Sequence, residues 1–374
     1  MANAAATSID FQALPKISLH DHLDGGLRPA TILEIADAEG VALPMDTETG
    51  AAIDDAGRLG QWFADQSDSG SLVEYLKTFD VTTAVMQSEA GLERIAREFV
   101  EDLVADGVVV GEIRWAPEQH VQGGLTLDAA VEAVQSGIEG AVAAARKAGS
   151  VIYVGQLVTA MRHLDRSVEI AQLALRYRDK GVVGFDIAGP EQGFPPRRFV
   201  EAFDLLAGEM FPVTIHAGEA DGVESIRSAL VDGRALRLGH GVRIAEDIGN
   251  LAAADSSEAD LGRVARWVLE RGIPLETSPS SNIQTGAIEA WGTSMEDHPF
   301  HALYRLGFAV TVNTDNRLMS ATTLTKELEL LVDAFGYGIE DLLAFQLNAA
   351  QGAFLQWGES EEIIDLLLEA YTPS

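Results

Sequence analysis

Eight histidines occur in the chain, and four of them stand in short polar tracts that close apolar runs: His20-Asp21-His22, His216-Ala217-Gly218-Glu219 and His240-Gly241. A fourth tract of the same kind is Asp315-Asn316. Imidazole nitrogens and carboxylate oxygens are metal ligands. Such a donor set suits zinc, and also iron, cobalt or manganese. His20 and His22 are two residues apart in a predicted strand, so both side chains face the same way and can reach one ion. With no cysteine in the sequence, thiolate ligands and disulfides are excluded. The remaining histidines, His120, His163, His298 and His301, read as ordinary core or surface residues.

The tracts need a scaffold that brings them together. The Val- and Ile-rich runs are 17–22, 108–115, 151–158, 182–189, 212–219, 237–241, 274–282 and 309–315. Between most of them the apolar positions recur at three and four residues, as in Leu125–Lys147, Glu89–Ala105 and Phe199–Gly208. Strands that alternate with helices imply parallel βαβ units. Eight such units imply an α/β fold of the (β/α)8 TIM-barrel type, in which active-site groups sit at the C-terminal strand ends. A doubly wound sheet is the alternative, but no glycine-rich dinucleotide fingerprint follows the first strand. Residues 1–374 read as one barrel domain with extra C-terminal helices over Thr323–Phe335 and Ile339–Leu347. The connection from Leu23 to Gly107 is long, and residues 41–80 within it are expected to form a lid.

Bulk properties narrow the partners. The 374 residues include 26 Lys plus Arg and 58 Asp plus Glu, a net charge of −32. Such a surface repels phosphate backbones, so nucleic acid is not an expected partner. No apolar stretch has the ~20 residues of a membrane span. Met1 to Pro15 has no basic start followed by an apolar run, and the expected compartment is the cytoplasm. Nothing in the sequence indicates an oligomeric state. The lysines are Lys16, Lys77, Lys147, Lys180 and Lys326. None ends the fourth strand, where two-metal barrel hydrolases often carry a carbamylated bridging lysine, so a single metal ion is expected.

Seven segments, in order along most of the chain, resemble the adenosine deaminase family of the amidohydrolase superfamily. They are SLHDHLDGGLRP (18–29), GEIRWAPE (111–118), GFDIAGPE (184–191), TIHAGE (214–219), RLGHGVR (237–243), LETSPSSNIQTGA (275–287) and TVNTDN (311–316). The resemblance implies one zinc ion held by His20, His22, His216 and Asp315. It implies that Glu219 protonates purine N1 and that His240 orients the attacking water and helps deprotonate it. The Gly189 N–H would donate to N3 and Asp24 would accept from the ribose 5′-hydroxyl, while Leu72, Tyr75 and Leu76 would gate the pocket. Asn316 stands where the family usually has a second aspartate that donates to N7, and an asparagine amide can make that bond without a proton. Ser278 stands where a cysteine is common. The implied activity is hydrolysis of adenosine, and of 2′-deoxyadenosine, to the inosine and ammonia. Alternatives are another aminopurine, such as adenine or a 5′-extended nucleoside like aminodeoxyfutalosine, or a non-catalytic zinc barrel that binds nucleosides.

Overall fold

The structure is a computed structural model that describes residues 9–46, 49–251 and 259–372. Eight parallel strands make two four-stranded arcs. The first joins β1 (Lys16–His22), β2 (Val108–Trp115), β3 (Tyr153–Met161) and β4 (Val182–Ala188) in chain order. The second joins β5 (Thr214–Ala217), β6 (Arg237–His240), β9 (Leu275–Thr277) and β10 (Val310–Val312). Between the last two pairs lies a small antiparallel hairpin, β7 (Ile248–Gly249) with β8 (Asp260–Leu261).

The arcs meet at two seams. At one, Phe185 bridges Val213 and the Phe185 N–H donates to the Pro212 carbonyl at 3.0 Å. At the other, Asp21 bridges Asp315; the His22 N–H donates to the Asp315 carbonyl at 2.8 Å, and the Asp315 N–H to the His20 carbonyl at 2.9 Å. In-order strands of this kind are those of a (β/α)8 barrel, not of a doubly wound sheet.

Helices cover the outside because their apolar stripes need a sheet to bury against. Helix Glu89–Ala105 has the expected bounds; Ser88 caps it, its side chain accepting from the Gly91 N–H. Helix Leu127–Lys147 starts two residues later than expected, at the Thr126 cap. Two expectations fail at the ends of strands. The run 274–282 is strand only to Thr277, because Pro279 opens a helix over Pro279–Gln284; proline has no N–H for a ladder but fits a helix's first turn. The last strand likewise stops at Val312. The C-terminal helices are Leu324–Phe335 and Ile339–Gly352, and a third, Trp357–Tyr371, was not anticipated. No helix among the described residues is long and apolar enough to cross a membrane.

The long first connection holds helices Pro29–Glu39, Ala56–Ser67, Leu72–Tyr75 and Phe79–Ala84 ahead of Glu89–Ala105. Its stretch 69–75 is fastened to the far side of the barrel mouth. The Gly70 N–H donates to the Gln284 carbonyl at 2.8 Å. The Tyr75 hydroxyl lies 3.3 Å from the Ser320 hydroxyl, which donates to Gln284 Oε1 at 2.7 Å.

Candidate active site

The barrel interior below the strand ends is charged. Glu112, Arg114, Asp186, Arg237 and Glu276 are each at most 3% exposed. They form one chain of ion pairs. Arg237 bonds Glu112, and its Nε reaches Glu276 Oε1 at 2.6 Å. Arg114 joins Glu276 Oε2 at 2.6 Å and Asp186 Oδ2 at 2.8 Å. Buried charges persist only when paired in this way. Burial pushes the Glu276 carboxyl up, but Arg114, Arg237 and His20 outweigh it and hold it well below the usual carboxylate range.

This charge chain ends on two histidines. Glu276 Oε2 is 3.0 Å from His20 Nδ1, and Asp186 Oδ2 is 2.8 Å from His216 Nδ1. Both Nδ1 atoms therefore carry the proton, and both Nε2 lone pairs point the other way, the arrangement that outer carboxylates impose on metal-binding histidines. His20 Nε2 and His22 Nε2 each lie 3.3 Å from Asp315 Oδ1, and His22 Nε2 lies 3.2 Å from His216 Nε2. Ligand atoms of His20, His22, His216 and Asp315 all lie within 4.8 Å of one another. The second Asp315 oxygen accepts from the Ser281 hydroxyl at 2.6 Å.

Two lone pairs, the His22 Nε2 and a carboxylate thus face each other, and His20 Nε2 is buried with no hydrogen-bond partner. Burial and Arg114 oppose a charge on His20, yet Asp315 and Glu276 raise its pKa. The cluster demands positive charge at its centre. A divalent cation meets that demand, and nitrogen and oxygen donors are the types such ions take. The four residues that the sequence pointed to are therefore brought together, and they fit one metal ion.

Glu219 and His240 stand beside this cluster, with Glu219 Oε2 3.6 Å from His240 Nε2. Burial, then the neighbouring Asp315 and Glu191, push the Glu219 carboxyl well above its ordinary value. These causes all favour the neutral carboxyl over the carboxylate. The His240 ring is held in one tautomer. Asn282 Oδ1 accepts from the Ser278 N–H at 3.3 Å and lies 3.3 Å from His298 Nε2, so the other end of the amide, Nδ2, donates to His240 Nδ1 at 2.9 Å. The His240 proton is thereby left on Nε2, facing the cluster. Burial holds the ring neutral. His240 and Asp315 both have left-handed backbones, φ 60° and 59°, the strain that accumulates at functional sites.

These groups open onto a cavity of about 340 Å³, which Asp24, Gly189, Asn316, Leu72, Tyr75 and Leu76 also line. Every site residue picked out from the sequence therefore lines this cavity, except His20, which belongs to the cluster at its base. Asp24 is 5% exposed and its Oδ1 has no hydrogen-bond partner, with His22 Nδ1 3.9 Å away; burial pushes its carboxyl up to about 7. Gly189, at φ 94°, adopts a conformation that favours glycine, and a Cβ there would stand 3.1 Å from Met161 Cε on the pocket wall. Among the described residues no lysine or arginine lines the cavity, whereas Asp24 and Asp80 do.

His163 departs from the core-or-surface expectation and lines the cavity next to Gly189. The other three keep it: His298 is buried and backs Asn282 behind His240, His120 packs in the core on Trp115, and His301 stacks on Phe335. The interior charges Arg114, Asp186 and Glu276 were missed. They lie within the segments quoted above, but period-two alternation says only that a side chain faces inward, and not that an ion pair awaits it.

The model of the family described as adenosine deaminase matches residues 15–370. The chain belongs to that family. Members of the adenosine deaminase family are aminohydrolases, and so is this chain. The adenosine deaminase of Mycobacteroides abscessus is 50% identical over 358 residues, covering 96% of this chain and 95% of its own. Among solved structures, the Arabidopsis N6-mAMP deaminase has a TM-score of 0.78 at 26% identity, covering 96% of this chain and 99% of its own. An amidohydrolase from Burkholderia ambifaria, solved with bound Zn, has a TM-score of 0.77 at 25% identity and covers 98% of this chain and 97% of its own. The non-catalytic reading therefore falls.

Proposed function

We propose that this member of the adenosine deaminase family converts adenosine, and 2′-deoxyadenosine, plus water to the inosine and ammonia. The observation that carries the proposal is geometric: a buried Glu219 carboxyl 3.6 Å from the His240 ring, both beside a His/Asp cluster of metal-ligand type, at the floor of one cavity. His20, His22, His216 and Asp315 would hold a single zinc ion, whose Lewis acidity lowers the pKa of water from ~16 to about 7.

Addition of the water oxygen to C6 pushes an electron pair onto N1, and Glu219 supplies the proton that N1 needs. His240 donates its Nε2–H to the incoming oxygen; with Nδ1 already accepting from Asn282, the ring acts as a donor in the resting state rather than as a base. One proton of the water replaces the one that Glu219 gave to N1; the C6–N6 bond then breaks as the remaining hydroxyl proton passes to N6, leaving a C6 carbonyl and ammonia. The Gly189 N–H to N3 and the Asn316 amide to N7 fix the purine plane. Asp24 accepts from the 5′-hydroxyl. We read residues 41–80, of which 47 and 48 lie outside the described residues, as a lid whose Leu72, Tyr75 and Leu76 exclude bulk water during the reaction.

The cavity wall favours a nucleoside over a 5′-nucleotide. A phosphate at the ribose end would meet Asp24 and Asp80 with no lysine or arginine among the described residues of the wall, and like charges in a confined site repel. The test is a spectrophotometric panel of adenosine, 2′-deoxyadenosine, adenine, 5′-AMP and 5′-extended nucleosides, with ammonia measured in parallel. Adenosine and 2′-deoxyadenosine are the expected substrates. Preference for adenine, 5′-AMP or an extended nucleoside would overturn the assignment. In the same assay Glu219→Gln should keep its metal and lose at least ~10²-fold in kcat, the low end for a general acid; near-normal turnover would make Glu219 a bystander.

A further inference from the structure

The turn that leaves β5 is gripped by two buried charges that the reaction above does not use. Glu191 follows β4 and is 2% exposed. Its Oε1 accepts from the Gly218 N–H at 2.7 Å and the Ser225 hydroxyl at 2.5 Å. Its Oε2 accepts from the N–H groups of Glu219 at 3.1 Å, Ala220 at 2.7 Å and Asp221 at 2.9 Å. Four successive backbone donors therefore converge on one carboxylate. They form a concavity of the kind that binds anions, entered through Gly218 at φ 78°, and the chain fills it with its own side chain.

Arg162 holds the same turn at its root. It is 1% exposed; its Nη1 donates to the Phe194 carbonyl at 2.9 Å and its Nη2 to the His216 carbonyl. Glu191 is the leading source of attraction on its guanidinium. Together the pair fixes both ends of the segment that carries His216 and Glu219. Four of the five bonds to Glu191 go to residues 218–221, ahead of helix Val223–Val231, so the carboxylate serves the turn rather than the helix's first coil.

We propose that Glu191 is the positioning residue of the general acid: it locks the 218–221 turn so that the Glu219 carboxyl stays aimed into the cavity beside His240. This rests on the reading of Glu219 as the acid.

The experiment compares Glu191→Ala and Glu191→Gln with the native enzyme, each checked for metal content and melting temperature. Both should keep their metal. Both should lose about 10²-fold in kcat for adenosine, the scale of a misplacement near 1 Å, with KM changed by less than about threefold. Glutamine fails despite its shape because its NH2 meets N–H donors. Formate should fill the vacated concavity in Glu191→Ala and restore kcat saturably, while chloride at equal ionic strength should not. Adding Glu191→Gln to Glu219→Gln should cost no further kcat, because groups that act as a unit are not additive. Additive losses, a defect in KM or metal content instead of kcat, or a folded Ala variant that formate leaves inactive would each overturn the proposal. Should Ala not fold, the isosteric Gln variant still decides through the double-mutant comparison. If Glu219→Gln itself keeps its turnover, the acid assignment fails; if it loses turnover while the Glu191 variants keep theirs, the positioning role alone fails.

Discussion

Replacing Glu276 with glutamine removes one charge from the barrel interior and keeps the side chain's shape. Oε1 of Glu276 accepts from the Thr214 hydroxyl at 2.8 Å and Arg237 Nε at 2.6 Å; Oε2 accepts from Arg114 Nη2 at 2.6 Å and His20 Nδ1 at 3.0 Å. A glutamine keeps one oxygen and turns an NH2 toward the other two donors. Two buried donors left without an acceptor cost ~1–3 kcal/mol each, in line with the ~3–5 kcal/mol for breaking a buried ion pair. At ~2.1 cal/mol/K per residue, a chain of 374 residues unfolds with about 0.8 kcal/mol/K, so Tm should fall by about 4–6 °C. The defect should appear in metal-free protein. His20 also loses the partner that aims its Nε2, so metal affinity should drop ~10- to 100-fold. Thermal melts with and without metal, and competition against a chelator, measure the two effects. Because the folded carboxyl lies below its ordinary value of 4.5, its contribution is complete above that pH and is lost as pH falls through the folded value. Native and variant melts should therefore converge in acid. An unchanged Tm at neutral pH together with unchanged metal affinity would refute the reasoning.

Two further outcomes test the substrate contacts. Asp24→Ala should raise KM for adenosine by ~10- to 100-fold, from the ~1.5–3 kcal/mol of a hydrogen bond to a charged group, and should affect 5′-deoxyadenosine far less; equal losses would remove Asp24 from 5′-hydroxyl recognition. The native enzyme should favour adenosine over 7-deazaadenosine by ~10- to 100-fold in kcat/KM, the cost of a buried donor without an acceptor. Asn316→Ala should shrink that preference, and a preference that survives the change would clear Asn316 of the contact.

The parts of the molecule that the sequence displays are those with a repeating physical cause. His20 and His22 share a face because strands alternate, and helix Glu89–Ala105 shows its stripe because one side is buried. The ends of elements were harder to read. A single proline at 279 turned an expected strand into a helix, and helix Trp357–Tyr371 follows an irregular stretch that hides its start. Pairwise chemistry across the barrel left no local trace. Nothing near Glu191 in sequence announces that its partners are the amides of residues 218–221. The same holds for Glu276, whose two arginines come from β2 and β6. His163 reads as a surface residue until the loops after β3 and β4 are seen side by side.

The seam between β1 and β10 joins the backbones of His20, His22 and Asp315, three of the four proposed metal ligands. These residues lie almost 300 positions apart along the chain. On a ribosome moving at ~5–20 residues per second, roughly 15–60 s separate the synthesis of His20 from that of Asp315. Contacts of such long range form late and slowly. The ion-binding cluster therefore has no local precursor that a nascent chain could load. The expected outcome is that metal is taken up only once the ring shuts, so that a pulse of labelled metal counts finished barrels rather than growing ones.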